Sequence, residues 1–218
     1  MNLIISNSLN VLLLFSSIYL WKWYFRLKKT HEKIIETYRC HNTVIIYSRR
    51  RGISGWPKYN VDPYRIEFKN LSRIFEPITH FITTSEKTVD IAVMTISSSV
   101  LINTILNVLR KGIRVRIILN YAHSENVLVK KLIKNGADVI FFVEPSTTCS
   151  LFHYKYAIKD YGTNNQAAYC GSINWTDSAF TSNYEDLTIS TNKYIVDRFN
   201  ENFNDSFEYI KNMNKAKT

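Results

Sequence analysis

TVDIAVMTISSSVLINTILNVLRKGIRVRIIL, residues 88–119, is the stretch that most directly indicates how this chain folds. Residues 88–96 and 113–119 are rich in β-branched and apolar residues, which is typical of buried strands. Residues 99–112 lie between them and predict a helix that closes at Gly112, a usual residue at a helix C-terminus. This alternation of strand and helix at short spacing predicts a parallel or mixed sheet with helices packed on both faces.

Similar patterns extend the prediction to both sides of this stretch. Residues 65–87 carry apolar residues on one helical stripe, and Pro77 within them predicts a kink or a break. Further strands are predicted at residues 43–48, 138–143, 153–159, 166–171 and 185–190, and further helices at residues 124–136 and 192–213. The sequence therefore predicts one α/β domain over residues 43–213, with a mixed sheet flanked by helices on both faces.

The N-terminal residues predict a membrane anchor. Residues 3–21 contain no charged residue and are about long enough to cross a bilayer as a helix. Lys22 and further basic residues follow at once, which is the reverse of a cleaved secretory signal and predicts that the rest of the chain faces the cytosol. We therefore predict an anchor over residues 1–22 and a basic spacer over residues 23–42, with a buried core helix as the remaining alternative.

The composition favours polyanionic partners. The 218 residues carry a net charge of +10, and 45% of them are hydrophobic, which is ordinary for a globular protein. Nine Lys or Arg against two Glu between Lys22 and Arg51 place +7 of that charge in one segment. Nucleic acid and anionic lipid both suit such a segment, and charge alone does not choose between them.

The three cysteines form no C-x-x-C pair, so neither a disulfide framework nor a four-ligand zinc site is indicated.

The residues that indicate chemistry lie between positions 152 and 174, FHYKYAIKDYGTNNQAAYCGSIN. In the predicted strand, His153 and Lys155 share one face because side chains alternate along a strand. After a polar turn, Ser172 and Asn174 stand at the end of the partner strand, where a hydroxyl and an amide can donate to phosphate oxygens. A single histidine on a strand is usually structural, but H-x-K-x-x-x-x-D followed by G-S-x-N fixes six residue types in one hairpin. This string predicts an active site for an anionic substrate.

The same string resembles the signature of the phospholipase D superfamily. HYKYAIKD and GSINWT match its pattern, and KGIRVRIIL upstream and NYED at residues 183–186 agree with the wider layout. Within the superfamily, the chain is similar to the single-motif Zucchini, or mitochondrial cardiolipin hydrolase, branch over roughly residues 40–212. The resemblance implies a phospholipase D-like α/β fold and a phosphodiesterase that works through a phosphohistidine intermediate.

The resemblance also implies a role for each site residue. His153 would attack phosphorus, while Lys155 and Asn174 would hold the nonbridging oxygens and Ser172 would support them. Glu185 would hydrogen-bond the imidazole and fix its tautomer. Positioning and charge neutralisation by such groups can promote phosphoryl transfer without a metal ion.

A single copy of the motif implies a homodimer. One histidine cannot attack phosphorus and protonate the leaving alkoxide at once, so members with one copy form a composite site between two chains. Two-fold symmetry permits two identical motifs to face each other in this way. Asp160, the third residue of the motif, is counted with the catalytic residues, but we expect it to orient its neighbours or form a salt bridge rather than carry a proton.

The chain departs from the family pattern in two places. Zucchini-like proteins usually carry a zinc-binding insertion after the first strand, but residues 47–65, YSRRRGISGWPKYNVDPYR, contain no Cys or His. No zinc or other cofactor is therefore predicted. Arg49, Arg50 and Arg51 are predicted to contact substrate phosphates, with an ordinary solvated loop as the alternative. Residues 161–170 lengthen the hairpin, and they predict a tip that lies away from the reactive face.

Three functions fit these features. The first is an endonuclease of single-stranded RNA in piRNA biogenesis, which the basic segment favours. The second is a cardiolipin hydrolase that produces phosphatidic acid, for which an anchor with a basic flank is equally natural. The third, an inactive RNA-binding scaffold, is disfavoured by the intact His153, Lys155, Asn174 and Glu185. The anchor is compatible with the mitochondrial outer membrane, with the catalytic domain facing the cytosol, and the endoplasmic reticulum is the alternative.

Overall fold

The computed structural model describes residues 2–48, 52–57, 71–144 and 150–216. The chain divides into two compact units, Met1–Arg39 and Cys40–Thr218. The first unit consists of helix α1, which runs over Asn2–Cys40 and therefore ends at the first residue of the second unit. The second unit contains every residue of the predicted active site.

Helix α1 contains both the predicted anchor and most of the predicted spacer. Its side chains from Leu12 to Arg39 are exposed. Within the part of the chain that the structure describes, no helix combines the length and the apolar composition that crossing a membrane requires. The prediction that this region is helical is confirmed, whereas the membrane-spanning helix predicted over residues 3–21 is not.

The second unit is built around one mixed sheet. Its described strands are β1 Thr43–Ser48, β2 Gly52–Ser54, β3 Thr88–Val93, β4 Arg114–Asn120, β5 Asp138–Phe142, β6 Lys155–Lys159, β7 Ala167–Gly171 and β8 Glu185–Ser190. They are arranged in the order β2-β1-β8-β7-β6-β3-β4-β5. β4 is parallel to both β3 and β5, whereas β3, β6, β7, β8, β1 and β2 pair with one another as antiparallel neighbours.

Helices cover both faces of this sheet, as predicted. They are α2 Leu71–Ile74, α3 Glu76–Thr83, α4 Ser99–Arg110, α5 Val127–Lys134, α6 Asp177–Thr181 and α7 Lys193–Lys215. The larger core cluster joins apolar residues of α3, α4 and α5 to Ala157 and its neighbours on one face of the sheet. The smaller cluster packs Phe203 and Phe207 of α7 against Tyr156 and Ile158 on the other face. Side chains along β6 thus alternate between the two cores, as the sequence predicts.

Helix α7 is fixed to the sheet by an ion pair as well as by apolar packing. Arg116 on β4 donates to both carboxylate oxygens of Asp90 on β3, at 2.7 and 2.8 Å, and to Oδ1 of Asn204 on α7 at 3.0 Å. Its guanidinium carbon also lies 4.9 Å from the ring centroid of Phe203. The hydrogen bond with Asp90 raises the pKa of Arg116. These contacts hold the helix in a defined position over the sheet.

The described part of the predicted helix over residues 65–87 is broken near the proline, as Pro77 predicts. α2 ends at Ile74, and α3 begins at Glu76 with Pro77 in its first turn, where a missing amide proton costs nothing. The sequence pattern does not predict β2 or α6, which have only three and five residues. Elements this short do not show the periodicity on which the prediction depends.

Candidate active site

Four strand ends meet at one edge of the sheet. Lys155, the first residue of β6, pairs with Val93, the last residue of β3. Gly171, the last residue of β7, pairs with Leu187 near the start of β8. Because β6 is antiparallel to β7, the segment that precedes β6 and the segment that follows β7 lie side by side. The predicted residues of the motif and of β8 are thereby brought together at this edge.

His153 and Lys155 lie at the start of β6. The chain is held here because the amide of Met94, just after β3, donates to the carbonyl oxygen of Tyr154 at 3.0 Å. His153 is exposed, while Lys155 is buried and donates from Nζ to the backbone oxygen of His153 at 2.9 Å. Burial lowers the pKa of Lys155, and the nearby carboxylate of Glu185 opposes this change. An accessible imidazole therefore stands beside an amine that the protein has partly desolvated.

Gly171 allows β7 and β8 to approach closely at this edge, since a Cβ atom there would lie 2.1 Å from the carbonyl oxygen of Asp186. The next residue, Ser172, donates from its hydroxyl to the carboxylate of Glu185 and accepts from the amide of Asp186 at 3.1 Å. Asn183 donates from Nδ2 to the other carboxylate oxygen of Glu185 at 2.8 Å. Two side chains thus hold Glu185 in place.

Glu185 and Ser172 have partners in this structure that the sequence does not predict. The prediction pairs Glu185 with the imidazole of His153, but among the described residues no hydrogen bond joins these two side chains. The carboxylate accepts from Ser172 and Asn183 instead. The hydroxyl proton of Ser172 is therefore engaged with Glu185 in this structure.

Asn174, the other predicted phosphate ligand, is positioned by the backbone of Trp175. The amide of Trp175 donates to the carbonyl oxygen of Thr95 at 3.0 Å, and its own carbonyl accepts from the amides of Ser97 and Ser98 at 2.9 and 3.0 Å. The side-chain oxygen Oδ1 of Asn174 is buried and has no hydrogen-bond partner among the described residues. A phosphodiester offers only acceptor oxygens, so the atom of Asn174 that could contact it is the donor Nδ2 and not Oδ1.

Asp160 lies at the opposite end of β6, and its placement corrects the catalytic assignment. The seven residue steps from His153 correspond to roughly 23 Å along a strand. The carboxylate is fully buried and accepts from the backbone amides of residues 86–88 at 2.7 to 3.1 Å and from Nδ2 of Asn165 at 2.6 Å. Asp160 therefore joins the hairpin to the start of β3. The hairpin tip points away from the reactive edge, as predicted.

The substrate contacts predicted for Arg49, Arg50 and Arg51 lie outside the described residues. Their flanking residues, Ser48 and Gly52, pair with each other across β1 and β2. The role assigned to the three arginines stays a prediction.

Two residues that contribute to this edge are not predicted from the sequence. Asn183 restrains Glu185, and Trp175 fixes Asn174 while its ring stacks on Tyr169 with the ring centroids 5.9 Å apart. Both lie inside the strings GSINWT and NYED, so their proximity to the motif is the only signal in the sequence. Their contacts depend on how distant strands pair.

The described edge combines the imidazole of His153, the amine of Lys155 and the side-chain amide of Asn174. Such a set can position a phosphodiester and neutralise the charge that develops on its oxygens. Among the described residues, no group of three or more His, Cys, Asp or Glu side chains is placed to hold a metal ion. The described groups are therefore the ones to which chemical roles can be given.

Comparison with known proteins agrees with this geometry. Residues 78–207 match the family model described as cardiolipin synthase, PLD-like domain. The mitochondrial cardiolipin hydrolase of Chlamydomonas reinhardtii is 28% identical over 144 residues, which cover 65% of this chain and 59% of that protein. The enzyme of the same name from Xenopus laevis is 29% identical over 121 residues, covering 55% of this chain and 54% of that protein. The chain thus matches little more than half the length of these relatives.

Solved structures show the same fold. NucT from Helicobacter pylori superposes with a TM-score of 0.56 at 21% identity, over 64% of this chain and 90% of that one. A phospholipase D family member, Nuc from Salmonella typhimurium, superposes with a TM-score of 0.51 at 15% identity, over 60% of this chain and 84% of that one. At these identities the likeness extends to the fold alone. The predicted phospholipase D-like fold is confirmed.

Proposed function

Because the chain belongs to the phospholipase D superfamily of phosphodiesterases, we propose that it hydrolyses phosphodiesters through a phosphohistidine formed on His153. The observation that carries this proposal is the meeting of three groups at one edge of the sheet. They are the exposed imidazole of His153, the buried amine of Lys155 and the side-chain amide of Asn174. The carboxylate of Glu185 supplies a negative charge near Lys155.

The proposed reaction has two displacements at phosphorus. A ring nitrogen of His153 attacks phosphorus, the bond to the leaving oxygen breaks, and that oxygen takes a proton. Water then attacks the phosphohistidine, which returns the imidazole and releases the phosphate product. The ammonium of Lys155 and the amide of Asn174 bind the nonbridging oxygens, where charge accumulates in both transition states.

The proton for the leaving oxygen calls for a second acid, and we propose that it is His153 of a second copy of this chain. The sequence contains one copy of the motif, and the site lies at an exposed edge rather than in an enclosed pocket. A two-fold axis at this edge would place two imidazoles around one phosphodiester. One would then be neutral and the other protonated at the start of the reaction.

The proposed substrate is single-stranded RNA, cleaved internally as in piRNA biogenesis. An open edge admits a continuous chain, and the +7 segment between Lys22 and Arg51 favours a polyanion. Cardiolipin is the second candidate, because both curated relatives are named mitochondrial cardiolipin hydrolase. Each substrate presents a phosphodiester, so the same three groups could act on either.

We also propose that the protein acts at the mitochondrial outer membrane with its catalytic unit facing the cytosol. The names of the two relatives support the organelle. Exposed apolar and aromatic side chains between Leu12 and Leu27, interrupted by Lys22 and Arg26, support association of α1 with an anionic membrane surface.

The substrate is tested by incubating the full chain in EDTA with single-stranded RNA and, separately, with cardiolipin liposomes. We expect RNA to be cleaved at a rate that EDTA does not change, and we expect a His153→Ala variant to leave it intact. Hydrolysis of cardiolipin without cleavage of RNA would assign the second candidate instead. The phosphohistidine mechanism would be wrong if EDTA abolished cleavage while His153→Ala preserved it.

The pH dependence of RNA cleavage tests the role of Lys155. Because burial lowers its pKa, the charge that neutralises the phosphodiester is lost at a lower pH than for an exposed lysine. Glu185→Gln removes the carboxylate that opposes this shift, so we expect the alkaline limb of kcat/KM to move to lower pH. Glu125→Gln, which changes an exposed carboxylate of the same unit, should leave the limb in place. An unchanged limb in Glu185→Gln would show that another group controls it.

A further inference from the structure

A cavity of about 210 Å³ lies beside the proposed reactive edge, between the start of β6 and helix α7. Its lining residues are Tyr154, Tyr156, Arg198, Phe199 and Asn202. None of them has a role in the proposed reaction. Tyr156 lies on β6 and Tyr154 just before it, and the other three residues come from successive turns of α7.

The cavity is lined by aromatic rings in contact with one another. The ring centroids of Tyr154 and Tyr156 are 5.5 Å apart, and those of Tyr156 and Phe199 are 4.8 Å apart. Asn202 links the two tyrosines, since Tyr156 donates from its hydroxyl to Oδ1 at 2.7 Å and Nδ2 donates to the hydroxyl oxygen of Tyr154 at 3.4 Å. The surface is therefore preorganised, because both of its sides are fixed before any ligand arrives.

The position of Tyr154 relates the cavity to the reaction. This residue lies between His153 and Lys155, and alternation along the strand directs its ring towards α7 while Lys155 points to the other face. Its side chain is 45% exposed, so its ring is accessible to a ligand. Because Tyr154 adjoins His153 in the chain, an RNA strand that places one phosphodiester on His153 and passes round the start of β6 would have its neighbouring nucleotide at this ring.

The chemistry of the lining favours a nucleobase as the occupant. Aromatic faces stack on any base, which is how proteins bind single strands without reading their sequence. An acyl chain would bury the charge of Arg198 without satisfying it. Arg198 pairs with Glu201 at 2.9 Å, but both side chains are exposed, so a phosphate could replace this partner at little cost.

We propose that this cavity binds the base next to the scissile phosphate of single-stranded RNA, by stacking on Tyr154 and Phe199, while Arg198 contacts the adjoining phosphate. This inference rests on the proposed RNA substrate and adds a binding subsite to it. Because the contacts are made to the faces of the base, we expect the cavity to bind any of the four bases. The cavity would select single strands, since bases in a duplex are already stacked on both faces.

Oligoribonucleotides with a single abasic position test the subsite. We scan that position along a substrate with one preferred cleavage site and measure kcat and KM with the full chain. We expect removal of one base beside the scissile phosphate to raise KM about tenfold, in line with the usual strength of base–aromatic stacking. Phe199→Leu keeps an apolar side chain but removes the aromatic face, so on intact RNA it should raise KM about as much as the abasic position does in the wild-type chain. On the abasic substrate, Phe199→Leu should raise KM only slightly further. Tyr209→Leu removes an exposed aromatic ring from the same helix and should not change KM.

Binding provides a readout that does not depend on cleavage. RNA that carries 2-aminopurine at the same position should lose fluorescence on binding to the His153→Ala variant, and less so when Phe199→Leu is added. If RNA is cleaved but neither the abasic position nor Phe199→Leu alters KM, the subsite is wrong and the proposed function stands. If RNA is not cleaved, the proposed substrate is wrong. The subsite is then rejected as well unless the 2-aminopurine signal depends on Phe199.

Discussion

Replacing His153 with alanine should lower the rate of RNA cleavage by at least about a thousandfold, because no other group at the described edge can form the covalent intermediate. The loss should appear in kcat, since Lys155 and Asn174 still bind the phosphodiester. Single-turnover cleavage of end-labelled RNA measures the rate, and intact mass spectrometry of the quenched wild-type protein measures the chain that is linked through phosphorus to an RNA fragment. His31→Ala, an exposed substitution on α1, is the matched control and should retain full activity.

Mixtures of wild-type and His153→Ala chains test whether two histidines share one site. If each site needs His153 from both subunits, activity follows the square of the wild-type fraction, and an equal mixture with free subunit exchange keeps about one quarter of it. If each chain acts alone, the same mixture keeps half. A His153→Ala protein that cleaves within tenfold of the wild-type rate would contradict the proposed mechanism itself.

The layout of the catalytic unit could be predicted because its elements have strong periodic patterns. Residues 88–119 predict β3, α4 and β4, and the observed elements begin and end within three residues of the predictions. The largest difference is at the end of β3. Residues 94–96 leave the strand there because Ile96 pairs with Trp175, a partner 79 positions away in the chain. A local pattern carries no information about such a partner.

The placement of His153 beside Lys155 could be predicted because their relation is local. His153 and Lys155 are two residues apart, so strand alternation and the family motif suffice to associate them. The roles of Ser172 and Glu185 could not be predicted in this way. Whether Ser172 bonds to Glu185 or to a substrate depends on the register between β7 and β8, and the close approach at Gly171 sets that distance.

Asp160→Asn should lower the free energy of unfolding by about 3 kcal/mol while leaving kcat unchanged in the folded protein. Asp160 belongs to the motif by sequence, but its carboxylate accepts from three backbone amides and from Asn165 at the end of β6 remote from His153. The substitution places an NH₂ group where only acceptors can satisfy these donors. Asparagine tolerates the left-handed backbone at this position, where φ is 51°, so the effect is that of the lost acceptor rather than of backbone strain.

Urea denaturation of the two proteins measures this effect as a lower midpoint with an unchanged slope. Asp205→Asn, which changes an exposed carboxylate on α7, is the matched control and should shift the midpoint little. A catalytic role would give the opposite result, with a large fall in kcat and a normal midpoint. The amides of residues 86–88 donate to Asp160, so loss of these hydrogen bonds should increase amide exchange at residues 86–88 first. The residues around His153, at the other end of β6, should be affected only later. The motif would then have one end that reacts and another that holds the strand in register.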